Sequence, residues 1–154
     1  MSIPLYKMKL HPPSIVAIDF DGTCVTHAYP KIGCHIGAAS AVRALMEAGH
    51  KIILWTMRSG HPLAEAVEWC ALNGIELYGI NNNRTQKHWT SSPKCYANLY
   101  IDDCGLGIPL LRMPAISDRP FVDWPAVEIL LRKDGWLPPI FASAKQVRIR
   151  KAKG

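Results

Sequence analysis

The sequence predicts an α/β fold, a parallel sheet covered by helices on both faces. Three observations predict it. Short apolar runs end on acids or a hydroxyl, segments with helical apolar spacing lie between them, and 154 residues suffice for one core but not two.

Ile15-Val16-Ala17-Ile18 is apolar until Asp19 and reads as a buried strand. From Ile36 to Ala48 the apolar residues Ile36, Ala39, Val42, Ala44, Leu45 and Ala48 recur at helical spacing, and Gly49 supplies the stop. Lys51 to Thr56 is a second strand, closing on a hydroxyl. Pro62 to Asn73 is an amphipathic helix with proline near its start and Gly74 after it. Glu76 to Ile80 and Asn98 to Ile101 give a third and a fourth strand, the latter running into Asp102-Asp103. A last helix spans about Asp123, an N-cap followed by Trp124-Pro125, to Lys133. The domain so defined covers 14–137, with a basic tail at 138–154.

Bulk properties exclude several classes. The apolar share of 49% and charged share of 19% are those of a folded globule. No apolar run approaches the ~20 residues that span a bilayer, and Met1 to Pro13 lacks the apolar stretch of a signal peptide. Five cysteines with no C-x-x-C pair suit a reducing, cytoplasmic compartment. Cys24, His27, Cys34 and His35 do not match the spacing of a structural zinc site. Of the net charge of +6, five units come from Lys145, Arg148, Arg150, Lys151 and Lys153, so the rest of the chain carries only +1. Such a tail can contact nucleic-acid phosphates without sequence preference or serve simply as a solvated end.

In parallel sheets, side chains at the carboxyl ends of strands share one crevice. Asp19 and Asp21, Thr56, and Asp102 and Asp103 all fall at such ends. A single Asp there is as well explained by a turn, and Asp-Gly is a turn dipeptide. Carboxylates delivered by separate strands repel one another, and a divalent cation relieves the repulsion; hard oxygen donors favour Mg²⁺.

These residues resemble the haloacid dehalogenase superfamily. Its first motif, a strand followed by Asp-x-Asp-Gly-Thr, matches Ile15 to Thr23. A strand ending in Thr or Ser matches Ile52 to Thr56, and a strand ending in an acidic pair matches Leu99 to Asp103. Thr56-Met57-Arg58 and Tyr100-Ile101-Asp102-Asp103 look like small capless members of bacteria and phages. The resemblance covers about residues 14–104 and implies a three-layer Rossmann-like sheet without a cap domain. It implies a Mg²⁺-dependent phosphatase in which Asp19 is the nucleophile. Asp21 would be general acid and base, Gly22 would aim the carboxylates, and Thr56 would hold a phosphoryl oxygen. Asp19, the Asp21 carbonyl and Asp103 would bind the metal, with Asp102 orienting a metal-bound water or the lysine. The lysine of the third motif is Lys94 or Lys87, with Lys94 favoured because small capless relatives keep a lysine just before this strand.

Arg58, two residues past Thr56, is placed to reach a substrate phosphate or to form a surface ion pair. Trp55, Trp69, Trp124 and Trp136 read as core and Trp89 as a weak substrate contact. His88 reads as surface. The flap from Cys24 to Cys34 and the connection from Ile80 to Asn98 are each too short for a lid domain. An open crevice admits phosphorylated small molecules, phosphoprotein segments or nucleic-acid ends, unless a partner subunit closes it. The competing readings are a nucleic-acid end-processing or binding accessory factor that uses the tail, and a non-catalytic scaffold.

Overall fold

The computed structural model describes residues 9–140. Its sheet contains β1 (Ile15–Ile18), β2 (Lys51–Leu54), β3 (Leu77–Ile80) and β4 (Leu99–Ile101) in the order β3-β2-β1-β4, with β4 at one edge. Every pairing in this sheet is parallel. All four strands therefore point their carboxyl ends the same way, and an α/β fold is established. A separate antiparallel pair joins β5 (Leu110–Leu111) to β6 (Phe121–Val122).

The helices are α1 (Ala38–Glu47), α2 (Gly60–Leu72) and α3 (Trp124–Lys133). Alternation along β1 and β2 divides the side chains between two faces. Val16, Ile18, Ile52 and Leu54 face one core, built with Val42 and Leu45 of α1, Ala66 and Trp69 of α2, and Trp124, Val127 and Leu131 of α3. Ala17 and Ile53 face the other, smaller core, whose buried partners are Cys95 and Ala97. Helical cover on both sides was the expectation. Instead all three α-helices share the first face, and the connection 81–98, with one 3-10 turn at Gln86–His88, covers the second. That connection has polar residues at most of its positions and lacks the apolar stripe that would hold a helix against the sheet.

Element ends follow local chemistry. Helix α1 starts at Ala38 because Gly37 before it has φ 92°, a left-handed conformation that glycine adopts without strain. At α3 the expected N-cap forms, with the Asp123 carboxylate accepting from the Ala126 amide. Strand β2 stops at Leu54, one residue before Trp55, whose amide still donates to the Ile18 carbonyl. Packing also reaches upstream of residue 14: the His11 amide donates to the Gly135 carbonyl and its ring stacks on Trp136. Leu137, the last residue of the expected domain, is fully buried. The five basic tail residues from Lys145 to Lys153 lie outside the described residues. Among the described residues no helix is long and apolar enough to cross a membrane.

The C-terminal elements brace the turn after β1. The indole of Trp124 donates to the Thr23 carbonyl at 2.7 Å, and the Val122 amide donates to the Gly22 carbonyl at 2.9 Å. Replacing Trp124 by Phe preserves most of the packing but leaves the buried Thr23 carbonyl without that donor. Urea denaturation should show a loss of about 1–3 kcal/mol; an unchanged midpoint would mean that this bond does not brace the turn in solution.

Candidate functional site

Four strand ends meet at one rim. Asp19 follows β1, Thr56 lies two residues past β2, Asn81 follows β3, and Asp102 follows β4. The backbone ladder continues one residue beyond each of the first three strands, with the Asp19 amide on Ile101, Trp55 on Ile18 and Asn81 on Leu54. The rim therefore inherits the rigidity of the sheet.

Asp19 is only partly exposed, and its Oδ2 accepts a hydrogen bond from the Thr23 hydroxyl at 2.8 Å. The same Thr23 oxygen accepts from the Asp103 amide at 3.0 Å, so one fully buried hydroxyl ties the first strand end to the fourth. Burial pushes the Asp19 carboxyl up to about 7, against the pull of its bonds to Thr23 and the Phe20 backbone and with added repulsion from Asp102 and Asp103.

Asp21 is held by Arg58 in a fork: Nε to Oδ2 and Nη2 to Oδ1, both at 2.7 Å. Nη1 donates to the carbonyls of Pro30 and Pro62, and Nη2 also to that of Lys31. All donor directions of the guanidinium are thus committed within the chain, and the side chain is 1% exposed. This corrects the expectation that Arg58 reaches substrate or makes a surface ion pair. It is a buried clamp that fastens Asp21 to the flap after Thr23 and to the start of α2. Its planar end also lies over Phe20, 4.9 Å from the ring centroid.

A cavity of about 400 Å³ opens beside Asp19, lined also by Thr56, Asn81, Asp102 and the apolar residues Trp55, Met57 and Pro93. The Asn81 amide holds the Thr56 backbone from both sides, accepting from its N–H at 2.7 Å and donating to its carbonyl at 2.8 Å. The Thr56 hydroxyl oxygen accepts from the Arg58 amide, and its proton has no acceptor among the described residues. Neither Lys94 nor Lys87 lines the cavity. Pro93 does, while the Lys94 ammonium rests 5.8 Å from the Tyr100 ring centroid. Trp55, expected in the core, is half-buried and forms part of the cavity wall. Trp89 is exposed and meets Tyr96 edge-on.

The oxygen atoms suit a hard cation. Asp103 spends Oδ2 on His27 Nε2 at 2.9 Å and leaves Oδ1 available, and the Asp21 carbonyl accepts no hydrogen bond among the described residues. Asp19, raised chiefly by burial and further by Asp102 and Asp103, is a carboxyl whose charged form a divalent ion would stabilise. Asp102, Asp103 and Cys104 also bring ligand atoms within 4.8 Å of one another. The nearby carboxylates, Asp103 foremost, push the exposed Cys104 thiol up. The Cys24, His27, Cys34 and His35 set does not assemble: Cys24 is buried with its thiol on the Asp19 carbonyl, and His35 lies 5.5 Å from the Trp69 ring.

Sequence reasoning missed His27 and Asn81. A Cβ on Gly22 would come 2.1 Å from His27 Nε2 and 2.7 Å from Asp103 Oδ2, so glycine here, at φ 83°, makes room for the His27–Asp103 contact. That space was the available signal, and it is invisible without the fold. Asn81 has φ 50°, which asparagine tolerates better than most residues, but an asparagine after a strand reads only as a turn.

Fold and rim define an α/β protein with an acidic cleft at the carboxyl ends of its strands. No family model matches the chain, and no curated protein does. Among solved structures it is similar to a conserved protein coded by a locus from Bacteroides thetaiotaomicron, with 35% identity and a TM-score of 0.65 over 79% of this chain and 92% of that one. The chain belongs to the family of that Bacteroides protein.

Two outcomes follow from the electrostatics. Burial penalises ionised Asp19, so its contribution favours folding at acid pH and is lost as pH rises from about 3.8 towards about 7. In the presence of chelator, Asp19→Asn should raise Tm at pH 8 by an amount worth a few kcal/mol, with the gain vanishing near pH 4; equal Tm at both pH values would refute the assigned burial cost. Arg58→Ala strands Asp21, whose side chain is 20% exposed. Denaturation should show a loss of about 2–4 kcal/mol, below the range for a fully buried pair because of that exposure.

Proposed function

We propose that the chain is a Mg²⁺-dependent phosphohydrolase of the haloacid dehalogenase type that cleaves a phosphomonoester through an aspartyl-phosphate. The observation that carries this reading is Asp19. It is a carboxylate on a rigid strand end, oriented by Thr23, lining a cavity that also offers a free hydroxyl proton from Thr56.

In this reading Asp19 attacks phosphorus, forming a new P–O bond as the bond to the leaving alcohol breaks. Thr56 donates to a phosphoryl oxygen. Asp21, which does not itself line the cavity, has both oxygens accepting from Arg58 and is held as an acceptor, which suits activation of the hydrolytic water. Protonating the leaving oxygen requires Arg58 to release one of those atoms. Asp19, the Asp21 carbonyl and Asp103 would hold Mg²⁺, and His27 and Asp102 would position its ligands. The bound ion would keep Asp19 ionised at neutral pH and offset charge on the transferring group.

Lys94 fills the third-motif role by swinging from Tyr100 over Pro93, a motion open to an exposed side chain, and Lys87 is the alternative. The non-catalytic scaffold is disfavoured because three of the four strand ends carry acids or a hydroxyl whose crowding serves no packing purpose. The nucleic-acid accessory reading depends on tail residues outside the described structure.

The test is release of inorganic phosphate from an aryl phosphate with Mg²⁺. Turnover should need the metal, fall at least about a thousandfold in Asp19→Asn, and fall about a hundredfold or more in Lys94→Ala. Normal metal binding without turnover across a broad set of phosphate esters would favour the scaffold. Near-normal turnover of Lys94→Ala with loss in Lys87→Ala would transfer the role.

A further inference from the structure

The phosphohydrolase reading uses Asp19, Thr56 and Asp102 at the reacting end of the cavity, and the remaining wall is of a different character. Asn81 is the only other polar side chain lining it, and both ends of its amide are engaged by the Thr56 backbone. What is left for the alcohol half of a substrate is Trp55, Met57 and Pro93. Met57 is 97% exposed, the most exposed large apolar side chain but one among the described residues. It stands at the lip directly after the hydroxyl that would hold the phosphoryl group.

Trp55 is not free to move out of the way. It packs on the smaller core with Ala17 and Ile53, so its position is fixed by the sheet. The rim continues into the connection that carries Pro93, where Trp89 and Tyr96 form an exposed edge-on pair with centroids 5.4 Å apart. That connection is itself tied down: Gln86 donates to the carbonyls of Ser92 and Lys94 and accepts from the Tyr96 amide. The wall is therefore preformed, apolar and partly aromatic.

Resting on the phosphohydrolase reading, we infer that this site selects phosphomonoesters whose alcohol carries a flat apolar ring and discriminates against polyhydroxylated alcohols such as sugar phosphates. The cause is physical. A ring seated between Trp55 and Met57 removes apolar surface from water on both sides. A polyol in the same place loses its water partners and finds on this wall only the Trp55 indole N–H and the second Asn81 Nδ2 hydrogen, too few partners for several hydroxyls, which costs more than the lost apolar contact alone.

Steady-state kinetics on phenethyl phosphate and glycerol phosphate compares a ring with a polyol at similar leaving-group acidity, and a nucleoside 5′-monophosphate separates a nucleobase from a simple aryl group. The account predicts kcat/KM at least about tenfold higher for the ring ester, chiefly through KM. In Met57→Ala the ratio between the two should fall about three- to tenfold, and Met57→Leu should restore most of it. Equal or reversed preference, or a ratio that Met57→Ala leaves unchanged, overturns the inference while the phosphohydrolase reading stands. If no ester turns over, quenching of tryptophan fluorescence by the corresponding phosphonates decides. Selective binding of the ring phosphonate upholds the preference and rejects the hydrolase; binding of neither or both alike rejects the preference as well.

Discussion

Carrying Asp19 at the tip of a strand whose preceding residues are fully buried takes a carboxylate where its charged form is costly. The surrounding chain is arranged about that cost. Thr23 donates to the carboxylate and accepts from the Asp103 amide, so the acid is oriented by a group that also fixes the fourth strand end. Trp124 and Val122 hold the turn between Asp19 and Thr23 from the C-terminal side, and Arg58 holds Asp21 from the connection between the second strand and α2. Remove the acidic turn and these elements, which come from distant parts of the chain, lose their common partner.

Much of this was legible in the sequence because burial writes simple patterns. The two central strands appeared as apolar runs, since a parallel strand buried on both faces has no polar alternation to confuse it. The helices appeared through their apolar spacing, with ends displaced by a residue or two where Gly37 and Gly60 set the start. The rim acids appeared because separate strand ends carry acids or a hydroxyl together, which a turn at any one of them does not explain. What stayed hidden depends on contacts distant in sequence. That all α-helices share one face is decided by connection 81–98, whose order comes from side chains such as Asn83 and Gln86 gripping backbone atoms. Arg58 looked like a substrate ligand because two residues past a phosphate-binding position is within its reach. Only the fold shows that the flap carbonyls and Asp21 use up its donors.

The clamp also changes how the cleft can work. A side chain that spans Asp21, the flap at Pro30 and Lys31, and the entry to α2 makes the flap part of the site's frame. The cavity is consequently open but not loosely walled. Its lining combines the polar groups of Asp19, Thr56, Asn81 and Asp102 with the apolar side chains of Trp55, Met57 and Pro93. The similarity to the conserved Bacteroides protein places the chain in a family and leaves the chemistry to be argued from the residues. The reading of Asp19 as a nucleophile therefore rests on its position at the strand end and its orientation by Thr23.

The most direct measurement is chemical trapping of Asp19 during turnover. Borohydride added while the protein hydrolyses a phosphate ester reduces an aspartyl-phosphate to homoserine, which peptide mass spectrometry locates by residue. The account predicts homoserine at Asp19, dependent on both Mg²⁺ and substrate and with Asp21 and Asp103 unmodified. Steady turnover with Asp19 recovered intact and another residue modified, or with no residue modified, would contradict it.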